Sequence, residues 1–146
     1  MSPELLGLLI GGIIPALCYG AAGIFQKVST SSGIGIGIYL VLVGIAVTAV
    51  GGGFYLVAPD RTFTAKGAIG AAMMGFFWAL GAGLVAFALL RYQAPLGKLV
   101  PLYNMNTLIA VLLALWIFSE WRDVNLSKLI AGSVLIVLGG VLVARA

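Results

Sequence analysis

The sequence has no histidine, one cysteine and four acidic residues in 146 positions. Each scarcity removes a class of chemistry. Without histidine, and with Cys18 as the lone thiol, the usual zinc and iron ligand sets cannot be assembled, and no metal or other cofactor is expected. Cys18 lies inside an apolar run and has no partner for an intrachain disulfide. The acids Glu4, Asp60, Glu120 and Asp123 all fall at or beyond the ends of apolar runs. No side chain of the histidine type is present as a base, no Ser or Cys has triad partners, and phosphate loops are absent. The inventory argues against an enzyme. Charge is scarce as well: 8% of residues are charged, and the net +4 comes from bases scattered singly through the loops. That pattern argues against a nucleic-acid partner. A signal peptide is not expected either, because Glu4 stands where a positive n-region would lie and the first apolar run is too long for an h-region.

What the chain has in abundance is apolar surface. Hydrophobic residues make up 62% of it, more than a soluble domain hides, so the expected class is an all-α integral membrane protein of one domain. Five spans are expected, at about residues 5–26, 34–58, 67–90, 99–118 and 129–144. The connecting loops are too short to fold alone. Five spans put the termini on opposite sides of the bilayer. Arg61, Lys66, Arg122 and Lys128 then fall on one side, and Lys27, Arg91, Lys98 and Arg145 on the other. This even split gives the positive-inside rule nothing to act on. Two explanations stand: one topology that the count does not reveal, or insertion both ways up with antiparallel pairing.

The fourth span carries the densest polar cluster in the membrane part of the chain: Tyr103, Asn104, Asn106 and Thr107. At about 100° per residue these four share one half of a helix circumference, with Ala110 and Ala114 continuing the face. The Asn pair is expected roughly 9 Å below one membrane surface. Amides in a bilayer need partners, either neighbouring helices or a wet cavity. The reading favours a cavity over amides that merely bind neighbouring helices. Glu120 follows near the interface, roughly 20 Å from Asn106 along the axis. It suits a cap or a pair with Arg122 better than a central proton carrier.

The first span has a patterned face of Gly11, Gly12, Pro15, Cys18, Tyr19, Ala22 and Gln26. Pro15 removes a backbone hydrogen bond and permits a bend. In the second span, Gly51, Gly52 and Gly53 suggest a bend or a close crossing, and Tyr55 an interfacial anchor. The third span repeats a small residue every four positions from Gly67 to Gly83, a row that winds by about 40° per step and so cannot all serve one contact. Trp78 lies near mid-span, away from the interfaces that tryptophan prefers; packing into a glycine groove is the first reading, a cavity wall the second. In the fifth span Ser133, Gly139 and Gly140 mark packing or dimerisation.

Several stretches together resemble the EamA-type domain of the drug/metabolite transporter superfamily. They are Tyr19-Gly20 with Phe25-Gln26-Lys27, Arg91 through Pro95, Val100-Pro101-Leu102, an apolar run ending in Ser119-Glu120, and Leu129 to Val143 with its Gly139-Gly140. The resemblance covers the chain at one domain length with loose motifs. Where the family usually has Gly-Glu at the fourth helix end, this chain has Ser119-Glu120. Larger members carry two such five-helix halves in inverted orientation. The resemblance therefore implies that a single half pairs with a second copy, as an antiparallel, dual-topology homodimer. It implies substrates among amino acids, sugars, nucleotide sugars and toxic cations, with export common. The related small multidrug transporters use a carboxylate in the first helix, and this chain has none there, which argues against proton-coupled cation export.

The expectation is thus a multi-pass protein of a prokaryotic inner membrane. It would carry a small polar or amphipathic metabolite by alternating access. Tyr19, Trp78, Tyr103, Asn104, Asn106 and Thr107 would line the cavity, and Pro15 would serve as a bend. Its partners would be a small-molecule substrate, the lipid bilayer and a second copy. The competing expectation is a non-transporting scaffold or modulatory subunit that binds another membrane protein through glycine-rich faces.

Overall fold

The computed structural model describes residues 2–59, 61–119 and 124–145. The expectations for Asp60, Glu120, Arg122 and Asp123 lie outside the described residues. Every regular element among the described residues is helical: α1 (Pro3–Leu8), a π-helical turn (Leu9–Ile13), α2 (Ile14–Ser31), α3 (Ile36–Val57), α4 (Ala65–Arg91), α5 (Leu96–Tyr103), α6 (Asn106–Ile117) and α7 (Leu126–Arg145). They make five segments long and apolar enough to cross a membrane: Leu5–Ser31, Ile36–Val57, Ala65–Arg91, Leu96–Ile117 and Leu126–Arg145. The chain reads as a multi-pass membrane protein, in agreement with its composition. It divides into two compact units, Met1–Gln93 and Ala94–Ala146.

The first span is irregular at its start. The Ile14 N–H reaches back five residues to the Leu9 carbonyl. Pro15 follows at once; it has no N–H for the Gly11 carbonyl and its ring crowds that oxygen. A widened π turn next to a proline relieves the crowding. At its other end the helix outlasts expectation. It was expected to stop at Gln26, with Lys27 and the Ser/Thr cluster in a loop, yet it runs to Ser31. The hydroxyls explain the extension. Thr30 Oγ1 donates to the Gln26 and Lys27 carbonyls at 3.0 and 3.1 Å, and Ser32 Oγ to the Val28 carbonyl at 2.9 Å. Side chains bonded back to their own helix do not compete with it as a loop would. Gly33, at φ 80°, then ends the helix in the left-handed conformation.

The first unit packs at one end. Gly23 and Thr30 of α2, Tyr39 of α3, and Ala86 and Leu89 of α4 are buried. Ala86 and Leu89 are 0% and 2% exposed. The Gln26 amide Nε2 crosses from α2 to donate to the Ala82 carbonyl of α4 at 3.1 Å. At Gly83 an added Cβ would meet Leu40 Cδ1 of α3 at 3.3 Å. Small residues let these backbones approach, and an amide bridges them. The opposite halves of the same helices are exposed, including most of residues 5–22, 44–57 and 65–78. The row from Gly67 to Gly83 therefore makes a helix contact only at its Gly83 end among these glycines; at Gly67 the nearest atom is the Thr64 hydroxyl of its own cap, and Gly75 meets nothing. Of the two expectations for Gly51, Gly52 and Gly53, the close crossing is not seen among the described residues. α3 runs unbroken through them, and a Cβ on any of the three meets nothing within 4 Å. Tyr55 sits under the Arg61 guanidinium, 4.8 Å from the ring centroid, a pairing suited to the membrane interface.

In the second unit α5 packs along α7, and α6 touches α7 more sparsely. Ser133 and Gly140 are the buried residues of α7. Asn125 starts this helix: its Oδ1 accepts from the Lys128 N–H at 3.1 Å. The crossing of α5 with α7 is close at Gly140, where an added Cβ would stand 2.9 Å from the Pro101 carbonyl oxygen and 3.8 Å from Met105 Cγ.

Candidate functional site

The fourth span is not one helix. α5 ends at Tyr103, Asn104 and Met105 form a turn, and α6 begins at Asn106. The expected continuous polar face is therefore replaced by a break within it. Pro101, inside α5, removes one N–H from the ladder and crowds the turn before it. The bonds shorten in register after it. The Asn104 N–H still reaches the Val100 carbonyl at 3.0 Å, but the Met105 N–H goes to Leu102 at 3.1 Å, three residues back. The Thr107 and Leu108 N–H groups likewise bond three residues back, to Asn104 and Met105, each at 3.1 Å. The local winding is 3₁₀, the usual short-lived alternative to the α form. Thr107 fastens the restart, since its hydroxyl donates to the Asn104 carbonyl at 2.9 Å.

Asn104 and Asn106 are both exposed, and among the described residues neither side-chain amide has a hydrogen-bond partner. Tyr103 is 37% exposed beside them. α5 starts at Leu96 and not at Leu99, which puts the amides about 12–15 Å along the helical segment from Leu96. That is near its middle. Of the six expected cavity residues, Asn104 lies in the break, Tyr103 ends the helix before it, and Asn106 and Thr107 begin the helix after it. Thr107 spends its hydroxyl proton on the backbone, so its part there is to shape the turn.

Tyr19 and Trp78 belong to the other unit, on α2 and α4. They are 70% and 48% exposed, and neither rings with another aromatic among the described residues. Within the described residues of the first unit, Trp78 is not buried in a glycine groove; its neighbours on α4 are exposed too. Pro15 lies in the first turn of α2, directly after the π turn.

Two residues escaped the sequence reading as functional candidates. Gln26 was placed on a patterned face, yet its amide ties α2 to α4. Pro101 was noted only within the family-like stretch. The available signal for the break was the pair of asparagines, poor helix formers, two positions apart in an apolar run. Comparison of the chain with family models, with curated proteins and with solved structures returns no match.

Proposed function

We propose that this protein is a membrane carrier for a small polar or amphipathic metabolite, working as an antiparallel homodimer by alternating access. The observation that carries the reading is the break at Asn104–Met105, near the middle of an apolar segment, with two amides that have no hydrogen-bond partner among the described residues. A bare amide in hydrocarbon costs several kcal/mol on the order of an unmade hydrogen bond. It therefore recruits water, a solute or another helix. Interrupted helices at mid-depth are a recurring way of building solute sites in carriers. The even distribution of Lys and Arg, four on each side, supports insertion in both orientations, and the resemblance to EamA-type halves supports pairing.

A second reading, a scaffold that binds another membrane protein, is favoured by one feature. Gly51, Gly52, Gly53, Gly70 and Gly75 line exposed stretches where a Cβ meets nothing, leaving room for a foreign helix.

Topology separates the two. The label site is Thr62, exposed in the loop before α4, in a Cys18→Ala background. Thr64 in the same loop is left in place, since its hydroxyl caps α4 by accepting from the Gly67 N–H at 3.2 Å. Labelling of about half the molecules by an impermeant thiol reagent before permeabilisation, the remainder after, supports the inverted dimer. Labelling from one side only sinks it. The cavity itself is tested with Asn106→Leu. The carrier reading expects a folded dimer that is no longer thermally stabilised by whichever amino acid, sugar, nucleotide sugar or organic cation stabilises the native protein. Loss of dimerisation or folding instead marks Asn106 as a helix-packing amide.

A further inference from the structure

Within the second unit the two halves of the broken span are held unequally. α5 is fastened to α7 where the Pro101 carbonyl lies against Gly140. α6 touches α7 more sparsely, and its residues 106, 107, 109, 110, 112 and 113 are exposed. Between the halves lies a turn that is close to helical. Asn104 has φ −66° and ψ −9°, and Met105 has φ −59° and ψ −14°. An α-helix has ψ near about −42°. Rotation of two ψ angles by about 30° each would therefore restore a continuous helix. That rotation would also move the Met105 N–H from the Leu102 carbonyl to the Pro101 carbonyl, four residues back. A second hydrogen-bond arrangement this close in backbone geometry to the observed one is what a hinge requires.

We infer that the Asn104–Met105 turn is a hinge, on which α6 swings between a broken and a straight form while Pro101 and Gly140 hold α5 fixed on α7. The swing changes how the Asn104 and Asn106 amides are presented without moving the α5–α7 pair. The hinge stands apart from the carrier reading, since its test needs neither a substrate nor transport.

The test uses the full chain in lipid nanodiscs, with Cys18→Ala and pairs of spin labels, diluted with unlabelled protein so that only intramolecular distances are read. One pair, Lys98→Cys with Ile117→Cys, spans the hinge. The other, Lys98→Cys with Ser127→Cys, spans the fixed α5–α7 pair. The hinge predicts a two-peaked or broad distribution for the first pair and a single narrow one for the second. Asn104→Ala puts the strongest helix former in the turn and collapses the first distribution to one peak, at a backbone separation of about 28 Å for a continuous helix. Should that variant not fold, Thr107→Val, which removes the hydroxyl bond that fastens the turn at the Asn104 carbonyl, makes the same shift. A single narrow first distance that neither variant moves overturns the hinge. Equal breadth in both pairs overturns the fixed half of it.

Discussion

Two adjacent glycines of α7 face opposite fates. At Gly140 an added Cβ would lie 2.9 Å from the Pro101 carbonyl oxygen, whereas at Gly139 it would meet nothing within 4 Å. The comfortable range for a carbon against a carbonyl oxygen is about 3.3–3.6 Å. Gly140→Ala must therefore push α5 and α7 apart by roughly half an ångström, and the opposing atom is backbone, which cannot rotate away. Overpacking of this kind costs about 1–3 kcal/mol. The substitution also gains up to about 1 kcal/mol of helix propensity. The net expectation is a loss of about 1–2 kcal/mol for Gly140→Ala. Gly139→Ala keeps only the propensity gain and is expected to be neutral or up to about 1 kcal/mol more stable. At about 2–4 °C per kcal/mol for a chain of this size, the two variants should differ by several degrees in thermal unfolding in one detergent. Gly140→Val enlarges the gap. Equal melting temperatures for Gly139→Ala and Gly140→Ala would refute the close crossing of α5 on α7.

Gln26→Leu removes the Nε2 bond to the Ala82 carbonyl; it is expected to cost about 0.6–2 kcal/mol, read as a lower melting temperature, and an unchanged value would mean the bond contributes nothing. Ser119 is held at φ 57°, just past α6, a conformation in which a Cβ is unfavourable by about 1–2 kcal/mol. Ser119→Gly should therefore raise the melting temperature by a few degrees, and a decrease would contradict the left-handed cap. Thr64→Val keeps the shape of the α4 cap but loses its acceptor for the Gly67 N–H; about 0.5–2 kcal/mol of stability should go with it, with faster hydrogen exchange at the start of α4.

The architecture was legible because its cause is compositional. Five runs of apolar residues separated by short polar stretches leave a membrane protein no alternative to five helices. Ends were less legible, and the first span shows why. Lys27, Ser29, Thr30 and Ser32 look like loop residues by polarity, yet hydroxyls bonded back to Gln26, Lys27 and Val28 keep the helix going until Gly33. Polarity marks where water can be met; it does not say whether a side chain satisfies itself on its own helix. The glycines were least legible. Gly51, Gly52 and Gly53 were the obvious candidates for close approach and meet nothing, while Gly140 meets a backbone oxygen. A glycine permits contact without requiring it, and what it meets is decided by the other helix.

The fourth span brings these lessons to one place. Its polar residues were identified from type and spacing alone, and Tyr103, Asn104, Asn106 and Thr107 do gather in one segment. Their arrangement was not, because a helical wheel assumes the helix. The helix gives way at Asn104 and Met105, where the Met105 N–H turns to the Leu102 carbonyl. Asparagine is among the poorer helix formers, and the backbone turn here is fastened by Thr107 on the Asn104 carbonyl. A proline alone in a membrane helix is commonly absorbed as a kink, because neighbouring groups satisfy the freed carbonyl. A pair of asparagines alone is commonly absorbed by bonding across helices. Here a proline and two asparagines share one span, and among the described residues neither asparagine amide has a hydrogen-bond partner. Unspent amides in an apolar segment are the physical reason to look for this protein's function at Asn104 and Asn106 before any other residue.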